Sequence, residues 1–290
     1  MKPAAFEYAA PETTAEALAL LAEYGSDARI IAGGQTLGPM LNMRMVTPTI
    51  LVDINRITDL PAMTVGEQKI STPALARQRE VHESGAAANA LPVLRKALSH
   101  VGHFQTRTRG TICGSIAHAD PTAELPLLLL TLGGSVSLAS KKQRRTIGAA
   151  DFFQGALTTA RRPEELIVGV DWPVTPSRTR YSFEELTVRH GHIAISSCAA
   201  RLRLTVDGSV ADIAIGVAGI SDRPILLPLQ AGHFTGVKPD EQWLSAVIGS
   251  AERLPYIDDL HASAAYRKST TAYLIGRSVR AMLNETGNQG

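Results

Sequence analysis

Cys113 and Cys198 are the only two cysteines in 290 residues. The chain therefore lacks the thiols for a disulfide framework, and it cannot by itself supply the full set of thiolates that an iron–sulfur cluster usually takes. Charge of one sign is lacking too: 29 Lys and Arg against 27 Asp and Glu leave a net charge of +2. Without a basic stripe, nucleic acid is not an expected partner. The longest purely apolar stretch, near residues 127–132, is far short of the ~20 residues a membrane span needs. The opening residues, Met1-Lys2-Pro3-Ala4-Ala5-Phe6, carry no apolar core of a secretory leader. These absences lead to the expectation of a soluble, cytoplasmic chain. No internal repeat or low-complexity tract stands out. With 44% hydrophobic and 19% charged residues, the length suffices for two or three packed units.

Two glycine-bearing segments stand out against that ordinary background. The first is Ala32-Gly33-Gly34-Gln35-Thr36-Leu37, directly after the apolar run Arg29-Ile30-Ile31. The second is Gly110-Thr111-Ile112-Cys113-Gly114-Ser115, followed by Ile116-Ala117-His118-Ala119-Asp120-Pro121. Each reads as a turn whose backbone amides can face an anion, because glycine removes the side chain that would block the approach. Thr36 adds a hydroxyl donor. Two such turns in one chain suit a diphosphate held from two sides. Asp120 and Glu124 could accept ribose hydroxyls, as carboxylates do in dinucleotide sites. Asp120 could equally cap a helix beginning at Pro121. Neither segment is G-x-G-x-x-G, and no G-x-x-x-x-G-K-[ST] occurs, so Rossmann and P-loop readings fail.

Around these segments the pattern is α+β. Thr13 and Glu16 fit a capping box and predict a helix over residues 14–24. Residues 29–32 and 50–54 read as strands, and residues 40–45 as a short helix. Helices are predicted over residues 74–83, 91–101 and 126–132, and strands over 135–139 and 167–172. The cluster Lys141-Lys142-Gln143-Arg144-Arg145 reads as a solvated hairpin tip. Pro173, Pro176 and Ser177 make a linker. Beyond it, strands over residues 197–206 and 210–217 flank an Asp207-Gly208 turn, and helices follow over 241–250 and 266–283. This divides the chain into units of residues 1–60, 61–176 and 177–290.

Other chemistry is weakly supported. His100-x-x-His103 and His190-Gly191-His192 have usable ligand spacings but lack nearby cysteine or carboxylate partners, so no metal is expected. Cys113 has no defined general base beside it in sequence. Cys198 reads as a small packed strand residue.

At the quoted motifs the chain resembles the FAD-binding medium subunit of bacterial molybdenum hydroxylases, such as carbon monoxide dehydrogenase and quinoline 2-oxidoreductase. The FAD domain of xanthine dehydrogenase is a more distant relative. The resemblance runs from Pro3-Ala4-Ala5-Phe6-Glu7-Tyr8 through both glycine segments to Ala265-Tyr266-Arg267-Lys268. The second segment together with His118-Ala119-Asp120-Pro121 and Ala123-Glu124-Leu125-Pro126 is highly specific to it. The implied fold is the vanillyl-alcohol-oxidase (PCMH) type, with two α+β subdomains holding FAD between them and a C-terminal α+β domain alongside. Ala32 to Thr36 and Thr111 to Ser115 would then hold the FAD diphosphate, and Asp120 or Glu124 would sit near the ribose. Ile167 and Ile193 fall where apolar contacts to the flavin are expected.

The same resemblance implies a function: an electron-transfer subunit with no catalytic residue of its own. A large subunit with the molybdenum cofactor and a small subunit with two [2Fe–2S] clusters would be partners, in a heterohexamer built as a dimer of heterotrimers. The alternatives are a stand-alone flavin oxidase and a scaffold that has lost its flavin. The chain departs from the family in places. Cys113 and Ser115 replace a glycine and an asparagine, Ile193 replaces a tyrosine of some members, and Ser71-Thr72-Pro73-Ala74-Leu75 replaces a Gly-Ala-Leu stretch. Glu185 lies where relatives can carry lysine, a change that alters the field at the flavin.

Overall fold

The computed structural model describes residues 1–175 and 178–284. Pro176 and Ser177 of the expected linker lie outside the described residues. Three larger sheets follow one another along the chain, a two-stranded pairing of Phe153–Gly155 with Thr158–Thr159 lies beside them, and the fold is α+β. The first has three parallel strands in the order Glu7–Ala9, Ile50–Asp53, Ala28–Ile31. Helix Thr14–Tyr24 covers it, burying Ala17, Leu18 and Leu21 against Val52 and Ile54. The Thr13 hydroxyl accepts from Glu16 N at 3.2 Å, while Glu16 reaches Glu12 N at 2.9 Å. Both ends of the cap are therefore satisfied, as capped helix starts require.

The second sheet has five antiparallel strands in the order Thr64–Val65, Lys69–Pro73, Leu166–Pro173, Ser135–Ala139, Arg144–Gly148. It corrects two expectations. The helix predicted over residues 74–83 begins only at Gln78, because Lys69–Pro73 pairs with Leu166–Pro173 and holds the chain extended up to it. The basic cluster is not wholly a solvated tip. Arg145 turns inward and meets Glu165 through Nε–Oε1 at 2.6 Å and Nη2–Oε2 at 2.7 Å.

The third sheet is antiparallel, in the order Thr179–Thr187, Ala194–Leu204, Val210–Ala218, Ile225–Leu226. Helices Glu241–Gly249 and Ala264–Asn284 pack with it around Trp243, Leu244, Ile275 and Val279. Helix Glu124–Leu132 lies between this sheet and the rest of the molecule, with every residue from Leu125 to Leu132 buried. An all-round apolar helix can sit only in such a place. Gly216 permits the contact, since a Cβ there would lie 2.9 Å from Leu127 Cδ1 and overlap the Thr131 hydroxyl. Glu124 is the first residue of this helix.

Candidate functional site

A cleft of about 650 Å³ is lined by residues from positions 25–54 and from positions 74–167. Residues 32–37 form one wall, and Gly110, Thr111, Cys113, Gly114, Ser115, His118, Asp120 and Glu124 form the facing one. Ile167 lines it as well, with Arg29 and Arg161. The fold thus brings together fifteen of the sixteen residues singled out from sequence. The exception is Ile193, which does not line the cleft and is 58% exposed beyond the strand Thr179–Thr187.

The two glycine segments touch. A Cβ on Gly33 would overlap the carbonyl oxygen of Arg109 and lie 2.8 Å from Gly110 Cα. Only glycine permits that approach, so the first segment is glycine-bearing for contact as well as for its turn. A side-chain bracket holds the contact. Arg77 Nη1 donates to the Arg109 carbonyl at 2.5 Å, and its Nη2 donates to Asn55 Oδ1 at 2.6 Å. Asn55 Nδ2 then donates to the Ala32 carbonyl at 2.8 Å. Each wall is therefore tied to the other through carbonyls, which leaves amides for a ligand. Among the described residues, the amides of Gly33, Gly34, Gln35, Thr36 and Cys113 donate to no other backbone group.

The second segment is not the turn expected from sequence. Thr111 caps helix Ile112–His118, its hydroxyl accepting from Gly114 N at 3.0 Å. Ile112 and Ile116 anchor that short helix in the core. Cys113, which had no defined general base in sequence, is not placed as a nucleophile by the fold either. Its side chain is buried against the Thr72 and Pro73 carbonyls, and burial pushes the thiol well above its ordinary range. Asp120 does not cap a helix beginning at Pro121, since the helix begins at Glu124. Instead its Oδ1 accepts from Thr122 N at 2.8 Å and Thr122 Oγ1 at 2.7 Å, an Asx turn.

Electrostatics grade the cleft. Arg161 donates to the Glu165 carbonyl at 2.7 Å, and burial and Arg29 lower its pKa. Burial pushes Glu124 up to about 7. His118 is half-buried, and burial lowers its pKa against the opposing pull of Asp120. Sequence reading missed Asn55, Arg77, Arg29 and Arg161. Only Asn55, directly after the predicted strand, carried a local signal.

This geometry agrees with the comparisons. Residues 4–175 match the family described as FAD binding domain in molybdopterin dehydrogenase. Residues 181–282 match the CO dehydrogenase flavoprotein C-terminal domain. The chain belongs to the FAD-binding medium subunits of the molybdenum hydroxylases. It is 35% identical to 6-hydroxypseudooxynicotine dehydrogenase complex subunit alpha of Paenarthrobacter nicotinovorans, over 98% of this chain and 96% of that one. It is 30% identical to the carbon monoxide dehydrogenase medium chain of Afipia carboxidovorans, over 96% of this chain and 97% of that one. Among solved structures, carbon monoxide dehydrogenase from Hydrogenophaga pseudoflava superposes with a TM-score of 0.93 at 30% identity, over 97% of this chain and 98% of that one. Quinoline 2-oxidoreductase from Pseudomonas putida 86 gives 0.91 at 32% identity, with 98% of each chain covered. The medium subunit thus carries the family's FAD-binding domain. Among the described residues, no helix is long and apolar enough to cross a membrane.

Proposed function

We propose that this medium subunit holds FAD in the cleft and serves as the electron-transfer subunit of a molybdenum hydroxylase. In this reading electrons arrive from the [2Fe–2S] clusters of a small partner subunit and leave to an external acceptor. The substrate is oxidised at the molybdenum cofactor of a large partner subunit. The three chains form a heterotrimer that pairs into a heterohexamer, and the complex is cytoplasmic.

One observation carries the proposal: two walls in backbone contact, both presenting uncommitted amides to the same cleft. Amides with no partner in a half-buried wall are costly unless a ligand or solvent satisfies them. A diphosphate provides several acceptors in a small volume, and its charge strengthens each bond. Ala32, Gly33, Gly34, Gln35 and Thr36 would hold it from one side, and Thr111, Cys113, Gly114 and Ser115 from the other. Asp120 or Glu124 would meet the ribose, and Ile167 would give an apolar contact. FAD, when bound, supplies the means to take electrons singly and release them singly or in pairs. The chain's own contribution is position, dryness and charge.

The test is co-expression with the large- and small-subunit genes expected to lie beside it, followed by spectroscopy of the purified medium subunit. The expected result is a flavin absorbance spectrum in this chain, displaced by ADP, and co-purification with the two partners. Turnover of an organic substrate by the FAD-loaded chain alone would instead identify a stand-alone oxidase. A complete complex without flavin absorbance would identify a scaffold.

A further inference from the structure

A buried cation ties the last helix to the cleft wall that carries Asp120. Arg267, in the first turn of helix Ala264–Asn284, is 2% exposed. A guanidinium is costly to bury unless its donors find acceptors. Its Nη1 donates to the Ile195 carbonyl at 2.5 Å and also to the Gly219 carbonyl. Its Nη2 meets Asp259 Oδ2 at 2.6 Å. Its Nε is buried and has no partner among the described residues. Asp259 is itself fixed, because its Oδ1 accepts from His261 N at 2.8 Å and Ala262 N at 3.0 Å. Burial alone would raise its pKa, but those amides and Arg267 bring it down to about 2, so it stays ionised beside the guanidinium.

Gly219 passes this restraint on. It follows the strand Val210–Ala218 with φ +78°, and a Cβ there would lie 2.9 Å from the Ile195 carbonyl oxygen and 3.0 Å from that of Ala194. Glycine suits both that approach and that conformation. Its carbonyl accepts from Arg267, and its amide donates to the Pro121 carbonyl at 2.9 Å. Pro121 is joined by a peptide bond to Asp120, a residue of the cleft wall. Leu157 N donates to the Ala119 carbonyl at 3.1 Å, so the chain is held on both sides of Asp120. Asp120 uses Oδ1 for Thr122, while its Oδ2 makes no hydrogen bond among the described residues.

We infer that Arg267 is a positioning residue for the nucleotide: through Gly219 and the Pro121 carbonyl it holds Asp120 where Oδ2 can accept from a hydroxyl of the adenosine ribose. The inference rests on the cleft being the FAD site, and it names Asp120 rather than Glu124 as the ribose acceptor. Arg267 itself does not line the cleft. Without it the Gly219 carbonyl loses its charged donor, and the turn at Asp120 is no longer anchored to the last helix. A carboxylate accepts from a hydroxyl only within about 2.5–3.0 Å. A small displacement of Asp120 therefore removes that bond, while the amides of the two glycine segments keep the diphosphate. A hydrogen bond to a charged group is worth about tenfold or more in affinity.

Calorimetric titration of the full FAD-free chain with ADP and with dideoxy-ADP, which lacks both ribose hydroxyls, separates the ribose from the diphosphate. The wild type is expected to prefer ADP by about tenfold. Arg267→Met should bind dideoxy-ADP with wild-type affinity and lose most of the preference for ADP. Asp120→Ala should lose that preference too, and the double variant should lose no more than either alone. Arg267→Lys is the milder change, because a single nitrogen cannot meet both carbonyls and Asp259 together, and it should show part of the same loss. Equal weakening of both nucleotides, a wild-type preference in either Arg267 variant, or failure of both variants to fold makes Arg267 purely structural and overturns the inference. A preference that survives in Asp120→Ala overturns it in favour of Glu124. Wild-type binding without any preference overturns it and leaves the FAD reading standing. Failure of the wild type to bind either FAD or ADP overturns the two together.

Discussion

Replacing Gly33 by alanine tests whether contact between the two walls is what makes the cleft a diphosphate site. The new Cβ would lie 2.8 Å from Gly110 Cα, with the Arg109 carbonyl closer still. Both obstacles are backbone, so neither can swing aside as a side chain would. Comfortable carbon–carbon contact is about 3.5–4.0 Å, so the walls must separate by roughly 0.7–1.2 Å. A ligand bridging both sides would then keep its bonds to one wall and stretch those to the other beyond the range of about 2.7–3.2 Å that they need. Losing one charge-assisted hydrogen bond costs about 1.5–3 kcal/mol, or about ten- to a hundredfold in affinity. Fluorescence titration of the FAD-free chain with FAD measures it. Gly38→Ala is the control: it sits in helix Leu37–Asn42 with no atom within 4 Å of its would-be Cβ, and should bind FAD normally. Wild-type affinity in Gly33→Ala, with the fold intact, would refute the argument.

Two further substitutions probe what supports the site. Arg77→Met should lower the unfolding temperature and weaken FAD binding, because the Arg109 carbonyl and Asn55 Oδ1 both lose a donor. An unpaired group of this kind costs about 1–3 kcal/mol, which denaturant unfolding with and without FAD will read. Glu165→Gln should cost about 3 kcal/mol at neutral pH, as one-sided loss of a buried pair does. Burial alone would raise the Glu165 pKa, but the Arg145 guanidinium and the Arg162 amide bring it below the usual carboxylate value. A carboxylate with a depressed pKa stabilises the fold above its unfolded value and loses that effect as pH falls through its folded value. The gap between variant and wild type should thus persist down to about pH 4 and close below it. An acid-unfolding series in which the gap stays constant would contradict this.

The local reading of this chain worked where local physics decides. Thr13 and Glu16 mark a real helix start, and the unbroken apolar run Ile50-Leu51-Val52 is a buried parallel strand. The glycine segments were visible because a backbone that must meet an anion or another backbone excludes side chains. The strand Lys69–Pro73 was not visible, since its residues, Lys-Ile-Ser-Thr-Pro, carry little strand pattern of their own. Its pairing with a strand about a hundred positions away holds it extended. Helix Ile112–His118 was hidden for a similar reason: a seven-residue segment with Gly114 near its start looks like a turn until the core takes up Ile112 and Ile116.

The sequence by itself determined the chemistry available at each wall of the cleft: small residues, free amides, a few hydroxyls, and too few cysteines for a cluster. It also determined the family, through motifs that keep their order along the chain. Tertiary structure decided what those walls do together. The Arg77–Asn55 bracket joins residues 22 positions apart and then reaches Ala32 and Arg109. Glu124 lines the cleft from the start of helix Glu124–Leu132, which packs against strands of the third sheet far away in sequence. Amide geometry acts over a few residues and is written locally. Contact and desolvation depend on which distant segments meet, and the packed fold alone sets that.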